Sequence, residues 1–165
     1  MNKQSSGSID SRVVIFWDWQ NSRGTEAQIQ YVIGFACLKG IITSKKVYSD
    51  WQLEKNRKLA EKLWCEGFES INVPSCKQKK NRTDKKLIKD CRQQVLDQSE
   101  INTVILLSGD GDFTPLVRDL KAKDKRVIVI AQCQKNTSQK LRESADEFYL
   151  LSQIEQGFRS LQFAA

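Results

Sequence analysis

At 165 residues, with 39% apolar and 28% charged side chains, the chain has the length and composition of one globular domain and not of a disordered polymer. Lys and Arg outnumber Asp and Glu by 27 to 20, a net charge of +7 that favours polyanionic partners, nucleic acid first and an acidic membrane surface second. No run is apolar enough to span a bilayer, and the polar, Ser-rich residues 1–11 lack the apolar stretch of a signal peptide, so they read as a flexible leader to a cytoplasmic protein.

The first element is the β-rich run Arg12 to Trp17, a buried strand that ends at Asp18. A helix from about Thr25 to Leu38 follows, with Ile29, Val32, Ile33 and Ala36 at helical spacing. Lys46 to Ser49 reads as a second strand, and an amphipathic helix then carries Leu53, Leu59, Leu63 and Trp64. Phe68 to Val73 is a third strand closed by Pro74. A lysine-rich connection leads to a helix from about Asp84 to Leu96, with Leu87, Ile88, Cys91 and Val95 on one face. Asn102 to Leu107 is a continuous apolar strand stopped by Ser108-Gly109. Phe113 to Lys123 is a helix that tolerates Pro115 in its first turn. Arg126 to Ala131 is another buried strand, Ser138 to Ser144 a short helix, Glu147 to Leu151 a last strand, and the C-terminus a final helix or tail over 153–165. Strict alternation of strand and helix predicts an α/β fold with a mainly parallel sheet covered on both faces. In such sheets the functional crevice lies beyond the carboxyl ends of the strands.

The chain contains no histidine, which excludes His-based acid–base catalysis, Ser-His-Asp triads and His-ligated metals. The five cysteines show no Cys-x-x-Cys pair, so neither a disulfide framework nor a zinc knuckle is expected, and each reads as a small buried hydrophobe. Chemistry then rests on carboxylates, which suit hard cations such as Mg²⁺ or Mn²⁺. Asp18 follows the first strand, and Asp110 and Asp112 follow the strand that ends at Leu107, so their loops leave the same sheet edge. Converging carboxylates repel one another unless a cation compensates. Gly109 and Gly111 suit the tight turn between them, and Asp112 also suits the cap of the helix that follows.

Asp84 stands at a helix start, with Asp90 about 600° further round the helix, so Asp84 is the candidate ligand and Asp90 a residue that orients a basic group or is solvated. The basic run Lys77, Lys79, Lys80, Arg82, Lys85, Lys86 and Lys89 reads as a phosphate-tracking rim beside that site. Trp17, Trp19 and Trp51 lie at strand ends, where base stacking and core packing both remain open readings.

These residues resemble the NYN-domain family, the LabA-like branch of the PIN-like nuclease superfamily. The resemblance is carried by Phe16-Trp17-Asp18-Trp19-Gln20-Asn21, by Thr83-Asp84 with Asp90, by Leu107-Ser108-Gly109-Asp110-Gly111-Asp112-Phe113-Thr114-Pro115-Leu116-Val117, and by Leu141, Ala145-Asp146 and Phe148. It implies a PIN-like three-layer α/β/α domain over 12–152. It also implies a Mg²⁺- or Mn²⁺-dependent nuclease site of Asp18, Asp84, Asp110 and Asp112, which acts on RNA in preference to DNA. Asn21, Ser108, Lys79, Lys80, Arg82 and Lys85 are the expected substrate contacts. A homodimer is compatible with the exposed ends. Gln20 and Asn81 depart from the family's usual Glu and Lys, which keeps a second reading in view, a regulatory nucleic-acid-binding protein on a nuclease fold. A small-molecule phosphohydrolase ranks last, because Gln20 occupies the place of its second acid.

Overall fold

The structure, a computed structural model, describes residues 11–163, so the expected leader lies outside the described residues apart from Ser11. Among the described residues six strands and six α-helices alternate. In order they are β1 (Arg12–Asp18), α1 (Glu26–Lys39), β2 (Ile41–Ser49), α2 (Arg57–Cys65), β3 (Glu69–Asn72) and α3 (Arg82–Val95). Then come β4 (Ile101–Leu107), α4 (Thr114–Ala122), β5 (Arg126–Ala131), α5 (Gln139–Ser144), β6 (Glu147–Leu150) and α6 (Leu151–Phe163). All neighbouring strands are parallel, in the order β3-β2-β1-β4-β5-β6.

Alternate residues of β1 feed two separate cores, as the period of a strand requires. Val13, Ile15 and Trp17 pack on one face with Val32 of α1, Leu63 of α2 and Ile154 of α6. Val14 and Phe16 pack on the other face with Leu87 of α3, Val117 of α4 and Leu141 of α5. The three-layer α/β/α architecture expected of the sequence is thus present. Each large apolar side chain fully withdrawn from water contributes about 1.5–3 kcal/mol, so the central strands β1 and β4 anchor the domain.

Helix starts follow local chemistry. Thr25 caps α1 in a reciprocal box with Gln28, and Asn56 caps α2 by accepting from Leu59 N at 3.3 Å. Several expected boundaries move. β2 starts at Ile41 and not at Lys46, because its first half pairs with β1 alone and carries mixed polarity that reads poorly as a strand. Leu53 lies in the turn before α2 and is exposed, and Trp64 points outward from α2 with 71% of its surface in solvent. The start expected at Phe113 is a single 3₁₀ turn, Gly111–Phe113, that leads into α4. Of the five cysteines only Cys91 is buried, and Cys37 and Cys65 face solvent from the helices α1 and α2.

The order of the strands locates the crevice. From β1 the chain builds outward through β2 to β3, and α3 then carries it back across the second face to β4 on the other side of β1. The connections after β1 and β4 therefore diverge to opposite faces, which opens a crevice at their carboxyl ends.

Candidate active site

β1 and β4 are paired so that Trp17 faces Leu107, which sets Asp18 beside Ser108. The Ser108 hydroxyl donates to Asp18 Oδ2 at 3.1 Å and accepts from the backbone N–H of Asp110 at 3.2 Å. Ser108 is wholly buried, and its hydroxyl is engaged by Asp18 and the backbone of Asp110. Asp110 caps the 3₁₀ turn by accepting from Asp112 N at 2.9 Å. The capping role open to Asp112 thus falls to Asp110, and the Asp112 carboxylate stays exposed and accepts from Asn81 Nδ2 at 3.2 Å.

Asn81 precedes α3 with φ of 60°, a left-handed conformation that Asn tolerates better than most residues. It makes no side-chain cap and instead spends its amide on Asp112. Asp84 follows in the first turn of α3, where the helix dipole favours a negative charge. Asp84, Asp110 and Asp112 each bring a carboxylate oxygen within 4.8 Å of the others. Asp18 lies beneath this trio and is close enough to feel it electrostatically. Burial first, then the charges of Asp84 and Asp110, pushes the Asp18 carboxyl up to about 7. Burial, then Asp110 and Asp112, raises Asp84 to about 6.

Among the described residues no Lys or Arg forms an ion pair with any of the four acids; Lys86 pairs with Asp90, Arg82 donates to the Pro74 carbonyl, and Lys85, next to Asp84, is exposed. A group of converging, mutually repelling carboxylates, from the buried Asp84 to the exposed Asp112, without a basic partner fits a divalent cation, and its all-oxygen donor set suits a hard one. Asp84, Asp110 and Asp112 are the residues able to hold it, with Asp18 behind them.

The acids Asp18, Asp84 and Asp110 line a cleft of about 410 Å³. Gln20, Asn21, Lys79, Lys80 and Arg82 line it too, and Lys85 does not, because it faces solvent one step further round α3. Thr83 donates its hydroxyl to Gln20 Oε1 at 3.3 Å, which ties α3 to the loop after β1. Asp90 sits away from the cleft, where it accepts from Lys86 at 2.7 Å and from the Tyr48 hydroxyl at 3.1 Å. Trp17 and Trp19 are packing and not stacking platforms. Trp17 and Trp19 are buried edge to face at 5.2 Å, and their indole N–H groups donate to the Ser22 carbonyl and to Glu54.

Sequence reasoning overlooked Pro74, Ser75, Cys76 and Thr83, which complete the wall of the cleft. Asp50 organises that wall. Its carboxylate accepts from the backbone N–H of Ser75 at 2.7 Å, and this bond with those of the neighbouring turn holds its pKa below the ordinary range. The signal was an Asp directly after a strand, the same placement that singled out Asp18. Gly109 and Gly111 are required for a reason other than turn geometry, since neither has a positive φ. A Cβ on Gly111 would lie 2.8 Å from Ser138 Oγ, and one on Gly109 3.1 Å from Thr137 Oγ1. The loop before α5 packs directly on the acidic turn, with Ser138 N donating to the Gly109 carbonyl at 2.9 Å.

Sequence and structure comparisons agree with this geometry. The NYN-domain family profile matches residues 12–152, and the chain belongs to that family, a nuclease-type family of PIN-like fold. A protein of unknown function from Vibrio parahaemolyticus RIMD 2210633 superposes with a TM-score of 0.68 at 25% identity, covering 87% of this chain and 94% of its own. Levoglucosan dehydrogenase in its apo form aligns at a TM-score of only 0.38 and 12% identity, over 85% of this chain and 34% of its own, and carries no argument. No curated protein sequence matches. Among the described residues no helix is long and apolar enough to cross a membrane.

Proposed function

We propose that the chain is a divalent-metal-dependent nuclease that hydrolyses phosphodiester bonds in RNA, with Mg²⁺ or Mn²⁺ held by Asp84, Asp110 and Asp112. The observation that carries this reading is the convergence of those three carboxylates within 4.8 Å, without a basic partner, at the switch point of the sheet. When bound, such a cation supplies Lewis acidity to a water and to the scissile phosphate, a chemistry that needs no histidine. The protein supplies the rest. Asp18 adds negative charge from below, and Ser108 fixes both Asp18 and the backbone of Asp110. Asn21 stands in the cleft, exposed and next to the acids, where its amide meets a phosphate oxygen. Lys79, Lys80 and Arg82 line the same cleft and neutralise flanking phosphates.

One contact favours a second reading, weak or absent turnover with retained binding. The amide of Asn81 donates to Asp112 Oδ2 and so competes with a cation for that carboxylate. Incubation of labelled RNA and DNA with Mn²⁺, Mg²⁺ or EDTA, beside Asp110→Asn, separates the two. Cleavage that requires metal and vanishes in the variant supports the nuclease. Equal cleavage by the variant would overturn the site, and binding without cleavage in every condition would move the conclusion to a regulatory nucleic-acid-binding protein.

A further inference from the structure

The +7 surplus of the chain is not spent at the cleft alone. On the second face of the sheet, α4 and α5 enclose an open groove of about 400 Å³ lined by Arg118, Lys121, Lys140, Glu143 and Ser144. Lys121 is anchored, with its ammonium 3.3 Å from Asp146 and 3.0 Å from the Ser144 carbonyl. Asp119, the neighbour of Arg118, is taken by Arg92 at 2.6 Å. Arg118 and Lys140 therefore face the groove with no carboxylate partner among the described residues. The single acid of the lining, Glu143, accepts from Gln139 at 2.6 Å.

The groove lies between α4, which the acidic turn leads into, and α5, whose cap packs on that turn. Arg118 lies four residues beyond Thr114, the first residue of α4, about 6 Å along the helix at 1.5 Å per residue. At the head of α5, Ser138 touches Gly111 and donates to the Gly109 carbonyl, which brings Lys140 to the same end. Lys79, Lys80 and Arg82 line the acidic cleft itself, so cationic side chains stand both at the cleft and in the groove. No aromatic or aliphatic residue lines the groove, which leaves no pocket for the apolar anchor of a protein partner. Cations on long aliphatic stems along an open channel suit a phosphate backbone whose bases go unread.

We propose that the α4–α5 groove holds the flank of a single-stranded nucleic acid whose scissile phosphate lies at the acidic cleft, with Arg118 and Lys140 each meeting one backbone phosphate. This rests on the nucleic-acid reading above and adds to it a requirement for substrate that extends past the cleaved bond on the α4 side. The test is the salt dependence of binding to a labelled single-stranded RNA in EDTA. The unaltered chain is compared with Arg118→Gln/Lys140→Gln and with a control pair of equal charge loss, Arg12→Gln/Arg159→Gln, placed away from the groove. Each single-strand phosphate contact contributes about 0.7 to the slope of log affinity against log salt, so the groove pair should lower the slope by about 1.4. Its loss of affinity is then about sevenfold larger at 50 mM than at 200 mM salt. RNA too short to leave the cleft should bind both proteins alike. An unchanged slope, or an equal loss in the control pair, would overturn the groove while metal-dependent cleavage could still stand. No binding by the unaltered chain would overturn the groove and the nucleic-acid reading together.

Discussion

Asp18→Asn should stabilise the metal-free protein while removing part of its function. The carboxyl of Asp18 is 2% exposed, and the fold raises its pKa from 3.8 to about 7. Because the folded value lies above the unfolded one, the native state keeps the proton over that interval while the unfolded chain has released it. Stability contributed through this group is therefore full below about pH 4, falls as pH rises, and levels off above about pH 7. At about 1.4 kcal/mol per pH unit, the deprotonated carboxylate costs the fold about 4 kcal/mol at pH 8 and about 1.5 kcal/mol at pH 5. Asn keeps the shape and offers a carbonyl oxygen to the Ser108 hydroxyl, so it escapes most of that cost. The assay is urea unfolding in EDTA at both pH values. With a slope of about 2 kcal/mol per molar urea, the midpoint of the variant should lie about 2 M above the parent at pH 8 and under about 1 M above it at pH 5. A variant no more stable than the parent at pH 8, or an advantage that does not grow with pH, would refute the picture of a buried, repelled carboxylate.

The same repulsion predicts a response to cation. At about a hundredfold excess over Kd, Mn²⁺ or Mg²⁺ should add about 2.7 kcal/mol at pH 8, a rise in Tm of about 5–10 °C, and Asp110→Asn should lose it; equal shifts in both proteins would show binding elsewhere. Ser108→Ala removes the hydroxyl that joins Asp18 to the backbone of Asp110, and kcat and metal affinity should each fall about 10–100-fold with the far-ultraviolet spectrum unchanged. Gly111→Ala puts a methyl 2.8 Å from Ser138 Oγ, so unfolding free energy should drop by about 1–3 kcal/mol in urea titration. Ser138→Gly in the same chain should recover part of that loss, and no recovery would mean that the clash lies elsewhere.

Much of the fold was legible because parallel strands covered on both faces must be apolar almost throughout. The runs at β1, β4 and β5 announce themselves for that reason, and β5 falls at the expected residues, Arg126–Ala131. β2 was half hidden because Ile41–Lys45 pairs on one side only and can carry polar side chains. Leu53 and Trp64 misled because helical spacing alone does not say which apolar residues find a partner.

The site divides in the same way. Sequence alone pointed to carboxylates as the candidate groups, since there is no histidine, and it placed Asp18 and Asp110 at strand ends that a parallel sheet delivers to one edge. It also placed Asp84 at a helix start. Only the tertiary structure decided that β1 and β4 are neighbours, which seats Ser108 under the acids, brings α3 across to complete the trio, turns Lys85 away, and hands the cap to Asp110. The physical reason is range. Periodicity, capping and strand ends are written within a few residues, whereas strand order and the hydrogen bonds that hold Asp18, Asp110 and Asp112 depend on contacts as long as the 90 residues between Asp18 and Ser108.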